Sequence, residues 1–354
     1  MSIKIYPNTK VYVVAPANTA TGGPELLHQL VFHLRKDFNI EAYMYYVPSD
    51  LHDPVHPEYK QYNNPYVEEI EDRKENLLIV PEVINSIKLI SEYSKIRKVI
   101  WWLSVDNFYL SAILSSKRNY FFRRVINKIS NIIFNKTFFN LKKLALKKMT
   151  QLDLSNFDQV KQADFHLTQS YYALYHLQEK GISKEKIYYL SDYLNENFLK
   201  TKTDLSKKEN IVVYNPKKGF SFTKKIIKAA SDIKFVPLIN MTRKQVIQTL
   251  QKAKVYIDFG YHPGKDRIPR EAAILGCCVI TGKRGSAKYF EDVPIPEEYK
   301  FEDKEENIPA IVNKIKDCFD NFNERYKDFD HYRKIIKDEP RKFLEDLRKI
   351  FKKV

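Results

Sequence analysis

Glycine is scarce in this chain, with 9 in 354 residues, and so are cysteine at 3, methionine at 4 and tryptophan at 2. So few glycines exclude collagen-like and glycine-rich low-complexity architectures, and none of them forms the Gly-x-Gly-x-x-Gly fingerprint of a dinucleotide loop. With two of the cysteines adjacent, at Cys277 and Cys278, a disulfide framework is excluded as well. No apolar run approaches the ~20 residues that a membrane-spanning helix needs. His52 and His56 are four apart, but Pro54 and Pro57 oppose the helix that would aim both rings at one metal. The opening residues, MSIKIYPNTK, pass into a strand without a signal-peptide core, so the expectation is a cytoplasmic protein.

Acid is in deficit too: 44 Asp and Glu stand against 60 Lys and Arg, giving a formal charge of +16. That balance favours anionic partners, whether phosphate-bearing substrates, acidic lipid or nucleic acid, without choosing among them. Hydrophobic residues make up 44%, enough for proper cores, and at about 150 residues per domain the length suggests two domains.

The apolar runs follow a strand–loop–helix grammar. Val11–Ala15 feeds a loop ending in Gly22-Gly23-Pro24, after which Leu26, Leu27, Leu30, Val31 and Leu34 repeat at helical spacing. Gly22 and Gly23 therefore lie at a strand-to-helix corner, where they serve either a tight turn or close approach of an anion to free N–H groups. Further strands are expected at Ile40–Val47, Leu77–Val80, Lys98–Leu103, Ala163–Gln169 and Lys186–Leu190. Asp106 and Asn107 come after the apolar KVIWWL run, where α/β proteins place ligand contacts and also helix caps. His166, flanked by Phe165 and Leu167, reads as a packed histidine.

Ser115–Gln151 contains no acidic residue and interleaves ten lysines and arginines with aromatic and aliphatic side chains. It is expected to be a basic amphipathic helical insert suited to an anionic membrane surface. Nucleic acid is not the expected partner, since no recognised module accompanies it. Asn195–Asn210 is polar and is expected to link the domains, placing an N-terminal domain at 1–194, a C-terminal domain at 195–330 and a helical tail at 331–354 that packs back on the first domain, divided at Pro340.

The second half repeats the grammar. Ile211–Tyr214 ends in Asn215-Pro216-Lys217-Lys218-Gly219, with Ser221 a candidate cap for the next helix. A lysine pair in such a loop can meet a diphosphate. Ile233–Leu238 is a strand, and Thr242 can cap a helix running to Leu250. Within Lys254–Gly282, the strand Val255–Phe259 enters a Gly/Pro-rich loop. Pro269, Arg270 and Glu271 then introduce a small-residue helix at Ala272–Leu275 that Gly276 stops. Arg270 offers a donor for phosphate and Glu271 an acceptor for sugar hydroxyls, or the two merely cap a surface helix. Beyond the next strand, Lys283, Arg284, Gly285 and Ser286 add two charges and main-chain donors.

Two such α/β halves resemble GT-B glycosyltransferases, most clearly over Ile211–Thr281, where the pattern looks like the retaining family-4 type that uses nucleotide sugars. The resemblance implies an α/β fold of two Rossmann-like parallel-sheet domains facing a central cleft. In that family a basic residue and Lys-Gly come after the first strand of the C-terminal domain, and Lys217, Lys218 and Gly219 look like that element. Glu271 in PREAAILGCCVIT matches the second of the family's paired glutamates, which contacts the nucleotide ribose. The first has no equivalent; its position falls around Pro263, with Asp258 and Asp266 nearby but out of register. Gly22-Gly23 resembles the glycine-rich N-terminal turn.

The resemblance also implies an activity: a glycosyltransferase moving a sugar from a nucleotide-diphosphate sugar to a glycan or lipid-linked acceptor in bacterial surface polysaccharide synthesis, such as capsule or lipopolysaccharide, on the inner face of the cell membrane. Lys218 would hold the donor diphosphate, helped by Lys283 or Arg284 and by the Gly285-Ser286 main chain. Arg270 would orient Glu271 or touch phosphate, and Asp106 would contact the acceptor or act as base. No cofactor is implied beyond the donor. No metal is required either, since basic loops replace it and no DxD-like motif stands near the relevant strands. Other readings of the same residues are a non-catalytic GT-B-like binding partner, a phosphopolyol transferase and a basic nucleic-acid-binding protein. The membrane expectation has a direct check: the full chain should float with vesicles containing acidic lipid and not with neutral ones, and failure to float on anionic vesicles removes the membrane role.

Overall fold

The structure is a computed structural model and describes residues 2–20, 22–49, 51–116, 127 and 152–354. The basic insert expected at Ser115–Gln151 lies, from Lys117 onward and apart from Asn127, outside the described residues. Two compact units are present: Met1–Gln169 with Ala173–Leu190 and Leu344–Val354, and Ser191–Phe343 with Ser170–Tyr172.

The first unit contains β1 (Ile3–Ile5), β2 (Lys10–Pro16), β3 (Glu41–Val47), β4 (Tyr66–Val67), β5 (Leu77–Pro81), β6 (Arg97–Trp102), β7 (Phe165–Thr168) and β8 (Ile187–Tyr189). Seven of these form one sheet in the order β4-β3-β2-β5-β6-β7-β8, with every pairing parallel. A parallel sheet is covered on both faces, so its strands read as continuous apolar runs, and all five residues of β5 are buried. The order reverses between β2 and β5, which makes their carboxyl ends a topological switch point.

The second unit contains β9 (Glu209–Tyr214), β10 (Lys234–Pro237), β11 (Ala253–Asp258), β12 (Cys278–Gly282) and β13 (Lys300–Phe301). These pair in parallel in the order β10-β9-β11-β12-β13, so here the switch point falls between β9 and β11. Thr242 caps the Arg243–Lys252 helix in a full capping box with Gln245, and Gly276, at φ 84°, ends the Arg267–Ile274 helix.

Two sequence expectations are corrected. Asn195–Asn210 is not a linker: Phe198 lies in the core of the second unit with Leu199 packed against it, and the units divide between Leu190 and Ser191. The polar composition there conceals two apolar anchors and a buried lysine. The C-terminal helix, Asp330–Ile350, runs through Pro340 without dividing. Tyr332, Ile336, Phe343 and Leu347 are buried on either side of the proline, and this packing outweighs the one backbone hydrogen bond it removes. The helix belongs to the second unit through Phe343, where Phe329, Tyr332 and Ile336 enter the core, and from Leu344 to the first, where β14 (Phe351–Lys353) pairs in parallel with β1.

Lys208 shows what holds the second unit together at the edge opposite its carboxyl-end loops. Its ammonium is buried and donates to the carbonyls of Leu250 at 2.9 Å and of Ala253 and Leu275 at 2.7 Å. Leu250 lies in the last turn of one helix and Leu275 caps another, so one cation satisfies carbonyls that each helix leaves open. Burial pulls the lysine below its ordinary pKa. Replacing it with methionine, Lys208→Met, keeps the stem but takes the ammonium from three buried carbonyls, leaving those of Leu250 and Ala253 only the weak Cys277 thiol donor. The expected loss is about 2–4 kcal/mol in chemical denaturation, and an unchanged midpoint would show that the carbonyls find other donors.

Candidate functional site

At the second unit's switch point the loops after β9, β11 and β12 meet. The chain turns so tightly that only glycine fits at several places. Gly219 has φ 59°, and a Cβ there would come within 2.2 Å of the Phe259 carbonyl oxygen. Gly285 has φ 57°, and its Cβ would meet the His262 carbonyl oxygen at 1.9 Å. The β12 loop is stitched to the β11 loop by Ser286, whose N–H donates to His262 O at 2.8 Å and whose hydroxyl donates to Gly264 O at 2.6 Å.

These contacts place Lys218 opposite the loop that leads into the Arg267–Ile274 helix. Its Nζ is 2.7 Å from Asp266 Oδ2, and Asp266 is the N-cap residue of that helix. The same oxygen lies 3.0 Å from Nδ1 of the fully buried His262, within ion-pairing distance though off the line of a good hydrogen bond. The other ring nitrogen, Nε2, is 3.7 Å from Asp258 Oδ1. Asp258 is fixed in turn: it accepts from Gly260 N at 3.0 Å and from Tyr256 Oη at 2.9 Å. Burial alone would strip the proton from His262, but Asp258 and Asp266 outweigh it and hold the imidazole above its ordinary value. Burial also works against the Asp266 charge, and His262 and Lys218 overcome it, so that carboxyl stays below its usual range.

Asp258, His262 and Asp266 each offer one ligand atom within 4.8 Å of the others. Their chemistry is nonetheless that of an ion-pair array: two carboxylates face an imidazole whose proton they stabilise and an ammonium, and the two ring nitrogens address different carboxylates.

Arg270 has a different place from the one expected. It is fully buried and points into its own unit, not at a ligand. Its Nη2 meets Asp192 Oδ1 at 2.7 Å and Oδ2 at 2.9 Å, and its Nη1 meets Glu339 Oε2 at 2.9 Å. Its Nε and Nη2 also donate to the carbonyls of Asp266 at 3.3 Å and Lys265 at 3.2 Å. Lys265 joins at 2.8 Å from Glu339, and Arg267 at 3.1 Å from Asp192. Burial opposes the guanidinium charge, but Asp192 and Glu339 raise the pKa of Arg270 further. Arg270 therefore anchors the start of the helix, its guanidinium committed to two carboxylates and two carbonyls.

The remaining candidates divide. Glu271 is half-buried, one residue past Arg270 on the same helix and on the same sheet edge as Lys218. Lys217 is exposed beside Lys218, its N–H turned to Asn215 Oδ1 at 3.0 Å. Lys283 is paired with Glu297, and Arg284 with Asp303 at 3.2 Å while lying 5.1 Å from the centre of the Tyr261 ring. Burial pushes Asp303 up to about 6 against the pull of Arg284. The Ser286 main-chain N–H, expected as a phosphate donor, is spent on His262 O, because the loop must be tied down to hold its shape.

In the first unit Gly22 and Gly23 open the Gly22–Lys36 helix at the switch-point end of β2. A Cβ on Gly23 would make only ordinary contact with Leu103, at 3.5 Å, so sterics do not demand glycine there. Asp106 is buried in the first turn of the Val105–Ser116 helix after β6, with Asn107 exposed beside it. Glu82, just past β5, is a residue that sequence spacing did not single out. Burial lifts it to about 8, and it accepts from Leu103 N at 3.0 Å, fixing the turn that leads to Asp106. An acid directly after an all-apolar strand is the signal that could have marked it. His262 was not singled out either, although Asp258, His262 and Asp266 are evenly spaced by four.

No family model matches the chain, and no curated protein matches it in sequence. Solved structures do match. HepE from Anabaena, in complex with UDP-glucose, matches with a TM-score of 0.55 at 13% identity, covering 96% of this chain and 99% of that one. Sucrose-phosphate synthase from Thermosynechococcus elongatus gives 0.52 at 12% identity, over 96% and 95% of the two chains. The lipopolysaccharide outer core galactosyltransferase WaaB, in its apo form, gives 0.50 at 11% identity, over 96% and 98%. The architecture of this chain is the GT-B fold.

Arg270 has a clear test. Arg270→Met leaves Asp192 and Glu339 buried without their shared cation, for an expected loss of about 3–5 kcal/mol. Arg270→Lys should recover little of it, since an ammonium cannot reproduce the forked geometry. Melting midpoints of the two variants check this, and a midpoint equal to wild type for either would refute the anchoring role.

Proposed function

We propose that the chain is a glycosyltransferase that moves a sugar from a nucleotide-diphosphate sugar to a glycan or lipid-linked acceptor in bacterial surface polysaccharide synthesis. The observation that carries this reading is the placement of Lys218 and Glu271 on one carboxyl edge of one parallel sheet, astride its switch point, where open α/β sheets receive ligands. The GT-B fold and neighbours solved with UDP-glucose or UDP agree with it.

Lys218 is the cation for the donor diphosphate. As the glycosidic bond breaks, negative charge grows on the leaving diphosphate, and a fixed ammonium in a partly dry site stabilises it more than water would. Lys217 and Arg284 are the further cations in reach, and the Gly219 and Gly285 backbone lets phosphate approach closely. The Glu271 carboxylate accepts from the ribose hydroxyls. Asp106, in the first unit, is the carboxylate assigned to the acceptor. With lysines supplying the charge, the transferase is metal-independent. The protein works in the cytoplasm, and the basic stretch Ser115–Gln151 brings it to the anionic inner face of the membrane.

A second reading has its own observation. Pro263 stands where the resemblance places the first of two glutamates, so a nucleotide-sugar binder without turnover has the same Lys218 and Glu271.

A thermal-shift screen against UDP, GDP, CMP and their sugars should identify one stabilising donor. Lys218→Ala and Glu271→Gln should each weaken that nucleotide about tenfold to a hundredfold while the chain stays folded. Undiminished nucleotide binding in both variants would sink the site assignment. Donor binding without any sugar transfer or hydrolysis would favour the binder.

A further inference from the structure

The acid on Lys218 needs explaining. A lysine meant for phosphate gains nothing from a full-strength carboxylate at 2.7 Å, since that partner must be displaced or shared before an anion can be gripped. The array around His262 offers the answer. Resting on the reading of Lys218 as the donor-diphosphate cation, we propose that Asp266 is a positioning residue that aims the Lys218 ammonium, and that His262 takes up part of the Asp266 charge so that Lys218 keeps its own for the donor.

Asp266 Oδ2 is shared: Lys218 Nζ approaches it at 2.7 Å and His262 Nδ1 at 3.0 Å. The ring cannot leave. It is fully buried, its own backbone carbonyl is bonded by Ser286 N, and its far nitrogen faces Asp258, which Tyr256 Oη and Gly260 N hold in place. A Cβ on Gly260 would come within 2.5 Å of Lys218 Cβ, so the lysine stem is confined as well. Its ammonium is left with a narrow choice between Asp266 and a ligand.

Several charged groups act on His262. Asp258 and Asp266 stabilise its proton, and Lys218 opposes it. Asp303, itself paired with Arg284, also senses the ring, and Tyr256, bonded to Asp258, senses Asp266 and Glu271 in turn. The imidazole is held above its ordinary value, so it keeps its proton to higher pH than a free ring and loses it as pH rises through that raised midpoint. Above it Lys218 is the cation left on the Asp266 carboxylate among the described residues. The pair tightens and anion affinity falls. Below it the carboxylate is divided and Lys218 is available.

The test has two independent readouts on the full chain. In the first, the His262 ring is titrated by NMR, assigned by the signal lost in His262→Gln. Lys218→Met removes a repelling charge and should raise the His262 midpoint, and Asp266→Asn should lower it. In the second, UDP affinity is measured from pH 6.5 to pH 9. Wild type should bind about tenfold more weakly at the high end, the order of effect for one charge lost near an anion in a partly buried site. His262→Gln should bind weakly throughout, with no such decline. A His262 midpoint unmoved by both Lys218→Met and Asp266→Asn overturns the inference even if UDP binds well. The same decline in His262→Gln as in wild type also overturns it. No UDP binding by wild type at any pH, in a chain that one other nucleotide stabilises, moves the second readout to that nucleotide. No binding of any nucleotide overturns both this inference and the transferase reading.

Discussion

Asp266 is where the second unit's site and scaffold meet. Its carboxylate is shared by a lysine from the β9 loop and a histidine from its own β11 loop, it is the N-cap residue of the Arg267–Ile274 helix, and its carbonyl accepts from Arg270. The helix that carries Glu271 therefore starts from the residue that holds Lys218. Any shift of that start would move both proposed donor contacts together. Carboxylates buried among cations are costly unless geometry is tightly set. Here the setting comes from glycines at positions where any larger residue would collide with backbone.

Behind that edge, Arg270 holds the helix start from within. It draws Asp192 from the segment after β8 and Glu339 from the C-terminal helix to one guanidinium, with Lys265 and Arg267 as supplementary cations. Such a cluster does not guarantee high stability, since desolvation opposes it. Its effect is on specificity of packing: three distant segments converge only if the helix takes one orientation, and breaking any pair leaves a buried charge. A site built on so fixed a support suits electrostatic catalysis, in which charges wait in place before the reaction.

Much of the scaffold could be read from sequence because parallel sheets declare themselves. Continuous apolar runs such as Leu77–Val80 and Val255–Phe259 marked the long strands, Thr242 marked its cap, and Gly276 marked a helix end. The short edge strands β4 and β13 and the β1–β14 pair were not legible, since two or three residues carry no period. Lys218 and Glu271 were singled out as candidates through spacing around glycines and by resemblance, and the fold sets both on the second unit's carboxyl-end loops. His262 and Glu82 were not, because a lone histidine or acid beside an apolar run is ambiguous until its neighbours are known. The buried partners of Arg270 were hidden for the same reason.

By itself the sequence determined the α/β class, the order of strands and helices, and which loops carry basic residues next to glycine, because these depend on local periodicity and on backbone conformations that few residues adopt. Only the tertiary structure decided which charges meet. Arg270 finds Asp192 across 78 residues and Glu339 across 69, and Lys218 finds Asp266 across 48. Nothing local distinguishes a cation that will be buried and matched from one that will face a ligand. That choice is made when distant segments close around it and leave it either a carboxylate or water.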